Sequence, residues 1–366
     1  MKRAEAPATP TVRRKFARLQ GMTNTTSKNG RLLATAMAGA WHQSPPPMAM
    51  SAEELGKITP LLLETGGGAL GWWRFRHSPL ATSPAGKRLR RSYRLHAIEA
   101  AVHEHELART VGLLRSAGIE PLLAKGWAIA RLYAESGLRP YGDIDLLVPR
   151  EAYADARATP GVMRAGVDLH ERFGELADRP MDELYRRSQL VALGDVDIRM
   201  LGAEDQLRLQ CLHLLRHGFW RPTWLCDVGV ALDRLPPDFD WDYFLSGKER
   251  SSSWVMCVIR VAQQMLDARA DVPADGRMAA ELPEWLVPAV LQAWGTGHPD
   301  YGSRFRVSLR HPAGVLRAVR NRWPSRIQAA AGWRAPSSKV PVRPLQAWDL
   351  TVRGATWLRA RSQGRA

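Results

Sequence analysis

A chain of 366 residues that is 45% hydrophobic and 24% charged is large enough for two modest domains or one domain with extensions, and no apolar run in it approaches the length of a membrane span. Its three cysteines, Cys211, Cys226 and Cys257, stand singly without metal-ligand spacing, which excludes a disulfide scaffold and reads as reduced core thiols in a cytoplasmic protein. The net charge of +16 is uneven: residues 1–50 carry 8 Lys/Arg against one Glu and residues 304–366 carry 14 against one Asp, so the body between them is −4.

Residues 1–50 mix Ala, Thr, Pro and basic side chains, end in SPPPMAM, and read as a basic, disordered extension, with Met48 or Met50 as alternative starts. MKRAEAP lacks the apolar core of a signal peptide. Ser51-Ala-Glu-Glu54 is a capping box that begins a first helix. Gly66, Gly68 and Gly71 match GxGxxG, but without a preceding strand and a suitably spaced ribose-binding acid this is no dinucleotide site. A helical pattern follows over 87–116, with Leu95, Ile98, Val102, Leu107, Val111 and Leu114 at near-helical spacing.

The next segment alternates strand and helix: strand 120–124, helix 126–134, strand 142–148, helix 150–157, strand 165–170, and a hairpin of 191–193 with 196–200 across Gly194-Asp195. From Glu204 onward the pattern is helical over 204–217, 223–234, 240–247, 253–268 and 284–295. The expected fold class is therefore α+β: a small mixed sheet in a core with N-terminal helices (51–200), a helical second domain (201–300), and a basic Trp/Arg-rich tail (301–366).

Within YGDIDLLV, Asp143 and Asp145 are two residues apart, so on a strand they share one face while Ile144, Leu146 and Val148 supply burial on the other. Two carboxylates side by side are costly unless a cation sits between them, and a hard divalent ion with oxygen ligands is the usual solution. Asp168 in AGVDLHERF supplies a third carboxylate on an apolar strand, 23 residues after Asp145. This pattern points to metal-assisted phosphoryl or nucleotidyl transfer. His170 lies on the same strand face as Asp168, equally suited to orienting a metal ligand and to a core hydrogen bond.

On AKGWAIARLY, LRPYGDIDLLV and VDLHERF, and on the later EDQLRLQCLHLLRHGF and PTWLCDVGVAL, the chain resembles a bacterial family of nucleotidyltransferases with the polymerase-β-like fold, over about residues 55–270. The resemblance implies that Asp143, Asp145 and Asp168 hold Mg²⁺, with Mn²⁺ as the alternative, and that Asp168 also orients the acceptor or draws its proton. It implies an NTP substrate, with Lys125, Gly126 and Arg139 at its phosphates. Arg139 and Lys125 enter because Trp127 stands where the wider superfamily has a small hydroxyl residue after the glycine.

The acceptor stays open between a small molecule, a peptide (relatives of this family sometimes accompany peptide natural-product genes) and a protein. Two rival readings stand beside the transferase: a nucleotide-binding pseudoenzyme, motivated by Trp127, and a nucleic-acid binder using the basic flanks. Several further features read as structural. His213 and His217 have the spacing of a zinc pair but lack the glutamate of a zinc hydrolase helix, so helix packing is favoured. Residues 103–106, HEHE, suit a solvated helix face, and Asp227 a buried, hydrogen-bonded helix position.

Overall fold

The computed structural model describes residues 25–163, 166–270, 272, 282–297, 323–339 and 341–362. Among the described residues four helices come first: α1 (Thr25–Met37), α2 (Ala52–Glu64), α3 (Gly68–Phe75) and α4 (Pro84–Ser116). The sheet region holds β1 (Leu122–Leu123), α5 (Trp127–Ala130), β2 (Ile144–Leu147), α6 (Tyr153–Ala158), β3 (Val167–His170), α7 (Met181–Arg186), β4 (Gln189–Leu193) and β5 (Val196–Met200). Helices α8 (Ala203–Arg216), α9 (Pro222–Leu232), α10 (Trp241–Leu245), α11 (Glu249–Leu266), α12 (Leu286–Thr296), α13 (Arg326–Trp333) and α14 (Val342–Ser362) follow.

The five strands form one mixed sheet in the order β3-β2-β1-β5-β4. β2 and β3 run parallel, as do β1 and β5, while β1–β2 and β4–β5 are antiparallel. The β4–β5 hairpin turns at Gly194, whose φ of +58° glycine adopts without strain. Side chains alternate across the sheet as strand geometry dictates. Ile144, Leu146, Val148, Val167 and Leu169 pack on one face beneath the C-terminal half of α4. Leu122 and Leu147 pack on the other with Phe173, Leu184 and Leu209 of α8.

Helix α4 reaches from this sheet into a second, larger core. Ser83 caps it by accepting from the Gly86 N–H at 3.0 Å, and Pro84 occupies its first turn. Leu107, Val111 and Leu114 cover the sheet, whereas Ala85 and Leu89 pack into the helical body. Leu95, Ile98 and Val102, expected on a buried face, stand exposed in the span between. That difference has a simple reason: the mid-section of α4 passes from one core to the other.

One sequence expectation about the flanks is corrected. Residues 25–50 are not a disordered extension, because α1 lies in the helical core, with Leu33, Ala36 and Met37 fully buried. Its tight crossing with α12 depends on two glycines: a Cβ at Gly30 would sit 1.9 Å from the Leu291 carbonyl oxygen, and one at Gly295 1.7 Å from that of Thr26. Trp41 follows, its indole donating to Asp233 at 2.8 Å. In the tail, where the sequence left helix and loose order open, helix α13 carries a capping box of Ser325 and Gln328 and buries Ile327, Ala329 and Ala330, while residues 1–24 and 301–322 lie outside the described residues.

The N-terminal helices also depart from the expected division at residue 200. Leu55, Ile58, Leu62, Leu70 and Trp73 share one core with helices α8, α9, α11 and α12, not with the sheet. The capping box at Ser51 and Glu54 is present as expected, with bonds of 3.0 and 3.1 Å.

A polar clamp fastens the segment around α7 to α8 and α10. The Tyr243 ring lies between the guanidinium groups of Arg179 and Arg187, at 4.2 and 3.8 Å. Its hydroxyl donates to the fully buried Asp205 at 3.0 Å, and Arg208 pairs with Asp178 at 2.9 Å. Burial pushes the Asp205 carboxyl from its ordinary 3.8 up to about 6, against the pull of Tyr243, Arg179 and Arg187.

Replacing Gly30 by alanine is expected to destabilise the protein by about 1–3 kcal/mol in urea unfolding, because the added methyl meets a backbone carbonyl that cannot move alone. A pH effect follows from Asp205. Its folded pKa lies above its unfolded one, so it costs stability above about pH 6 and this cost is relieved as pH falls towards 3.8. Thermal unfolding of Asp205→Asn between pH 4 and 6.5 should therefore show a shallower loss of stability with rising pH than the wild type.

Candidate active site

The site begins where β1 ends. Its last residue is Leu123, and Gly126 then turns the chain with φ +62° and ψ −115°, a conformation that side-chain-bearing residues rarely adopt. A Cβ at Gly126 would lie 3.1 Å from the Asp143 carbonyl oxygen, so the turn packs directly on the backbone leading into β2. Trp127 points away from this surface and is buried in the sheet core. The bulky residue after the glycine therefore leaves the site open. The helix expected over 126–134 is limited to α5 because the chain turns again after Ala130.

Beyond the turn, β2 and β3 run in register with Asp145 opposite Asp168. His170, two residues along β3, faces the same way. Its Nε2 lies 3.0 Å from Asp145 Oδ1 and 3.4 Å from Asp168 Oδ2. The potential ligand atoms of Asp145, Asp168 and His170 all lie within 4.8 Å of one another. Lys125 Nζ donates to Asp145 Oδ1 at 3.0 Å and sits 4.8 Å above the Phe173 ring. Burial works to raise the Asp145 carboxyl, but the hydrogen bond with His170 and the charge of Lys125 outweigh it and hold it below the ordinary range. Asp168 is its opposite in exposure, with 62% of its side chain open to solvent.

Asp143 takes a different position from the one expected. It precedes the first residue of β2 and is exposed, because β1 is too short to pair with it and the chain has already turned at Gly126. It stands outside the Asp145–Asp168–His170 group, on the wall of a cleft of about 490 Å³ shared with Lys125, Gly126, Arg139, Asp145 and Arg221.

Arg139 also lines the cleft, but its guanidinium is directed to Asp227. Its Nη2 and Nε donate to that carboxylate at 2.8 and 3.1 Å, and the Tyr133 hydroxyl adds a third bond at 2.8 Å. Asp227 is the buried, hydrogen-bonded helix residue that its sequence setting suggested. Burial works against the Arg139 charge, yet the Asp227 carboxylate more than offsets this and raises its pKa. Arg139 is thus a framework cation first, not the free phosphate donor expected.

The far wall comes from α8 and α9. His213, His217 and Trp224 form a triangle of rings with centroids 4.4 to 5.0 Å apart. His213 Nδ1 lies 3.6 Å from Glu175 Oε1. Burial, with His213 adding to it, pushes His217 down to about 3, so its imidazole is neutral at ordinary pH. The two rings pack on each other and on Trp224, and both line the cleft with Asp143 and Asp145. Arg221, at the start of α9, completes this wall and was not anticipated, since only the tertiary fold brings it near Asp143.

A family model described as an uncharacterised nucleotidyltransferase matches residues 73–159 and 160–267, together more than half of the chain. The chain belongs to that family. The matched span contains the Lys-Gly turn, all five strands and the helices that wall the cleft. Membership in this nucleotidyltransferase family gives nucleotidyl transfer as the class of activity. No curated protein and no solved structure matches the chain. No helix among the described residues is long and apolar enough to cross a membrane.

Truncating Asp227 to alanine would leave the Arg139 charge buried without its partner. A loss of about 3–5 kcal/mol in unfolding free energy is expected. Asp143→Ala, an exposed change, should stay within about 0.5 kcal/mol of wild type by the same denaturant titration.

Proposed function

We propose that the cleft binds a nucleoside triphosphate and that the protein transfers the nucleoside monophosphate to a hydroxyl-type acceptor, releasing pyrophosphate. The observation that supports this best is the register of Asp145 against Asp168 on neighbouring parallel strands, with His170 beside them, where Asp145 also lines a cleft large enough for a nucleotide. Two carboxylates and an imidazole suit a divalent cation, and Mg²⁺ or Mn²⁺ is the reading that fits a triphosphate substrate. Asp145, Asp168 and His170 would hold it, with Asp143 at the cleft wall nearby. When bound, such an ion supplies charge stabilisation at the phosphoryl oxygens.

In this reading the acceptor oxygen bonds to the α-phosphorus as the bond to the β-phosphate bridging oxygen breaks, and pyrophosphate carries away the electron pair. The acceptor proton passes to a carboxylate. Asp168 is suited to that because it is the solvent-open member of the cluster, on the edge strand where an acceptor can approach. Asp145 stays ionised through its hydrogen bond with His170 and the charge of Lys125. Gly126 lets the backbone come close to the site without a side chain in the way. Positioning and electrostatics carry most of the rate.

Calorimetric titration of each NTP with Mg²⁺ or Mn²⁺ tests the reading. Wild type should bind in a metal-dependent manner, and Asp145→Asn and Asp168→Asn should each lose affinity by about tenfold or more. Binding unchanged in both variants would overturn it. Binding without pyrophosphate release across a panel of hydroxyl, peptide and protein acceptors would favour a nucleotide-binding pseudoenzyme. Salt-sensitive binding of RNA or DNA that persists in both variants would point instead to the basic flanks.

A further inference from the structure

Among the cations of the cleft, Arg221 has a distinct electrostatic position. Lys125 pairs with Asp145 at 3.0 Å and Arg139 with Asp227 at 2.8 Å. Arg221 makes no ion pair with a carboxylate among the described residues. Its Nε donates to the Thr65 carbonyl oxygen at 2.9 Å, a neutral acceptor that fixes the guanidinium plane without cancelling its charge. Burial lowers its pKa and the neighbouring Arg139 adds to this, while Asp227 and Asp143 act more weakly in the other direction. A largely buried guanidinium without a counter-charge is costly, and an anion entering the cleft would offset that cost.

The geometry around Arg221 is built to keep it there. The loop that receives it is the start of the glycine motif 66–71, rejected above as a dinucleotide site. Gly66 has φ +76°, and a Cβ on it would lie 2.5 Å from Arg221 Nη2. Gly68 and Gly71 face Ser92 and Leu62, so they serve the packing of α3 against its neighbours. One glycine of the motif thus makes room for a charged side chain that the same cleft shares with Lys125, Asp143 and Asp145. Trp224, one turn into α9, has its ring 5.5 Å from the same guanidinium.

We propose that Arg221 is the polyphosphate-binding residue of the cleft, taking the β- and γ-phosphates of the nucleotide through its Nη groups in place of the hydroxyl contact that the Lys-Gly turn lacks. This rests on the nucleotide reading above. It adds that the helical body, not the turn after β1, supplies the charged phosphate contact. Thr65 and Gly66 are positioning residues that hold the guanidinium in place.

The test uses the full chain and two probes, inorganic tripolyphosphate and the four NTPs, titrated calorimetrically with Mn²⁺ present. The variants are Arg221→Gln, whose amide can still donate to Thr65, Arg221→Lys, which retains charge, and Gly66→Ala, which crowds the guanidinium. Thermal unfolding of each variant reports that it is folded. The expected result is a drop of about 10- to 100-fold in affinity for both probes in Arg221→Gln. Arg221→Lys should recover part of it and Gly66→Ala should lose an intermediate amount. Adenosine, which carries no phosphate, should bind all forms alike.

If Arg221→Gln binds NTP as wild type does, the Arg221 assignment falls while the nucleotide reading stands. If wild type binds tripolyphosphate but no NTP, and Arg221→Gln loses it, the anion site stands and the nucleotide reading falls. If wild type binds neither probe, both are overturned. Should Arg221→Gln fail to fold, Arg221→Lys and Gly66→Ala decide: unchanged affinity in both overturns the assignment.

Discussion

The cleft exists because one carboxylate, Asp227, is fully buried and must be satisfied. It receives Arg139 from the segment before β2 and Tyr133 from the segment after the Lys-Gly turn. Removing an ionised carboxylate from water is strongly unfavourable, and only well-directed charged and neutral donors compensate for it. The outcome is geometric. The bonds tie both ends of the 133–139 connection to α9, which sets the spacing between the strands carrying Asp145 and Asp168 and the helix that follows Arg221 and carries Trp224. Remove that anchor and the two walls of the cleft lose their common reference.

Around the anchor, burial is arranged in two bodies, and both α4 and α8 contribute buried residues to each of them. The sheet is covered by α4 on one face and by α8 and the Phe173–Leu184 region on the other. The larger helical core gathers α1 to α3 with the helices after residue 203. Carboxylates on the α8 side of the sheet therefore face rings and cations from helices distant in sequence. This juxtaposition concentrates opposite charges where solvent is partly excluded, the setting in which electrostatic contacts are strongest.

The local parts of this arrangement were legible in the sequence. Period-two alternation in GDIDLLV placed Ile144, Leu146 and Val148 on the core face, and the spacing to Asp168 predicted a strand beside β2. Both depend on neighbours a few residues apart. The limits appear where distant contacts decide. The sequence of α1, TTSKNGRLLATAM, has a glycine that weakens a helix in isolation, yet Gly30 is what lets α1 lie against α12. Asp143 has the right spacing for the strand face, but β1 ends too soon to pair with it. Arg139 looked free because its partner lies 88 residues away. His170 shared a face with Asp168 on paper, and its contact with Asp145 needed the register of two strands.

Helix α4 has a mechanical consequence. At 33 residues it extends for about 50 Å, and past its first turn it contains no proline at which to bend. Its two ends are embedded in different cores, so it acts as a common beam beneath both walls of the cleft. Separating those walls by a hinge would mean bending the beam or pulling one end from its packing. The frame of the cleft is accordingly held in a preformed geometry, with the exposed Asp143 on its wall.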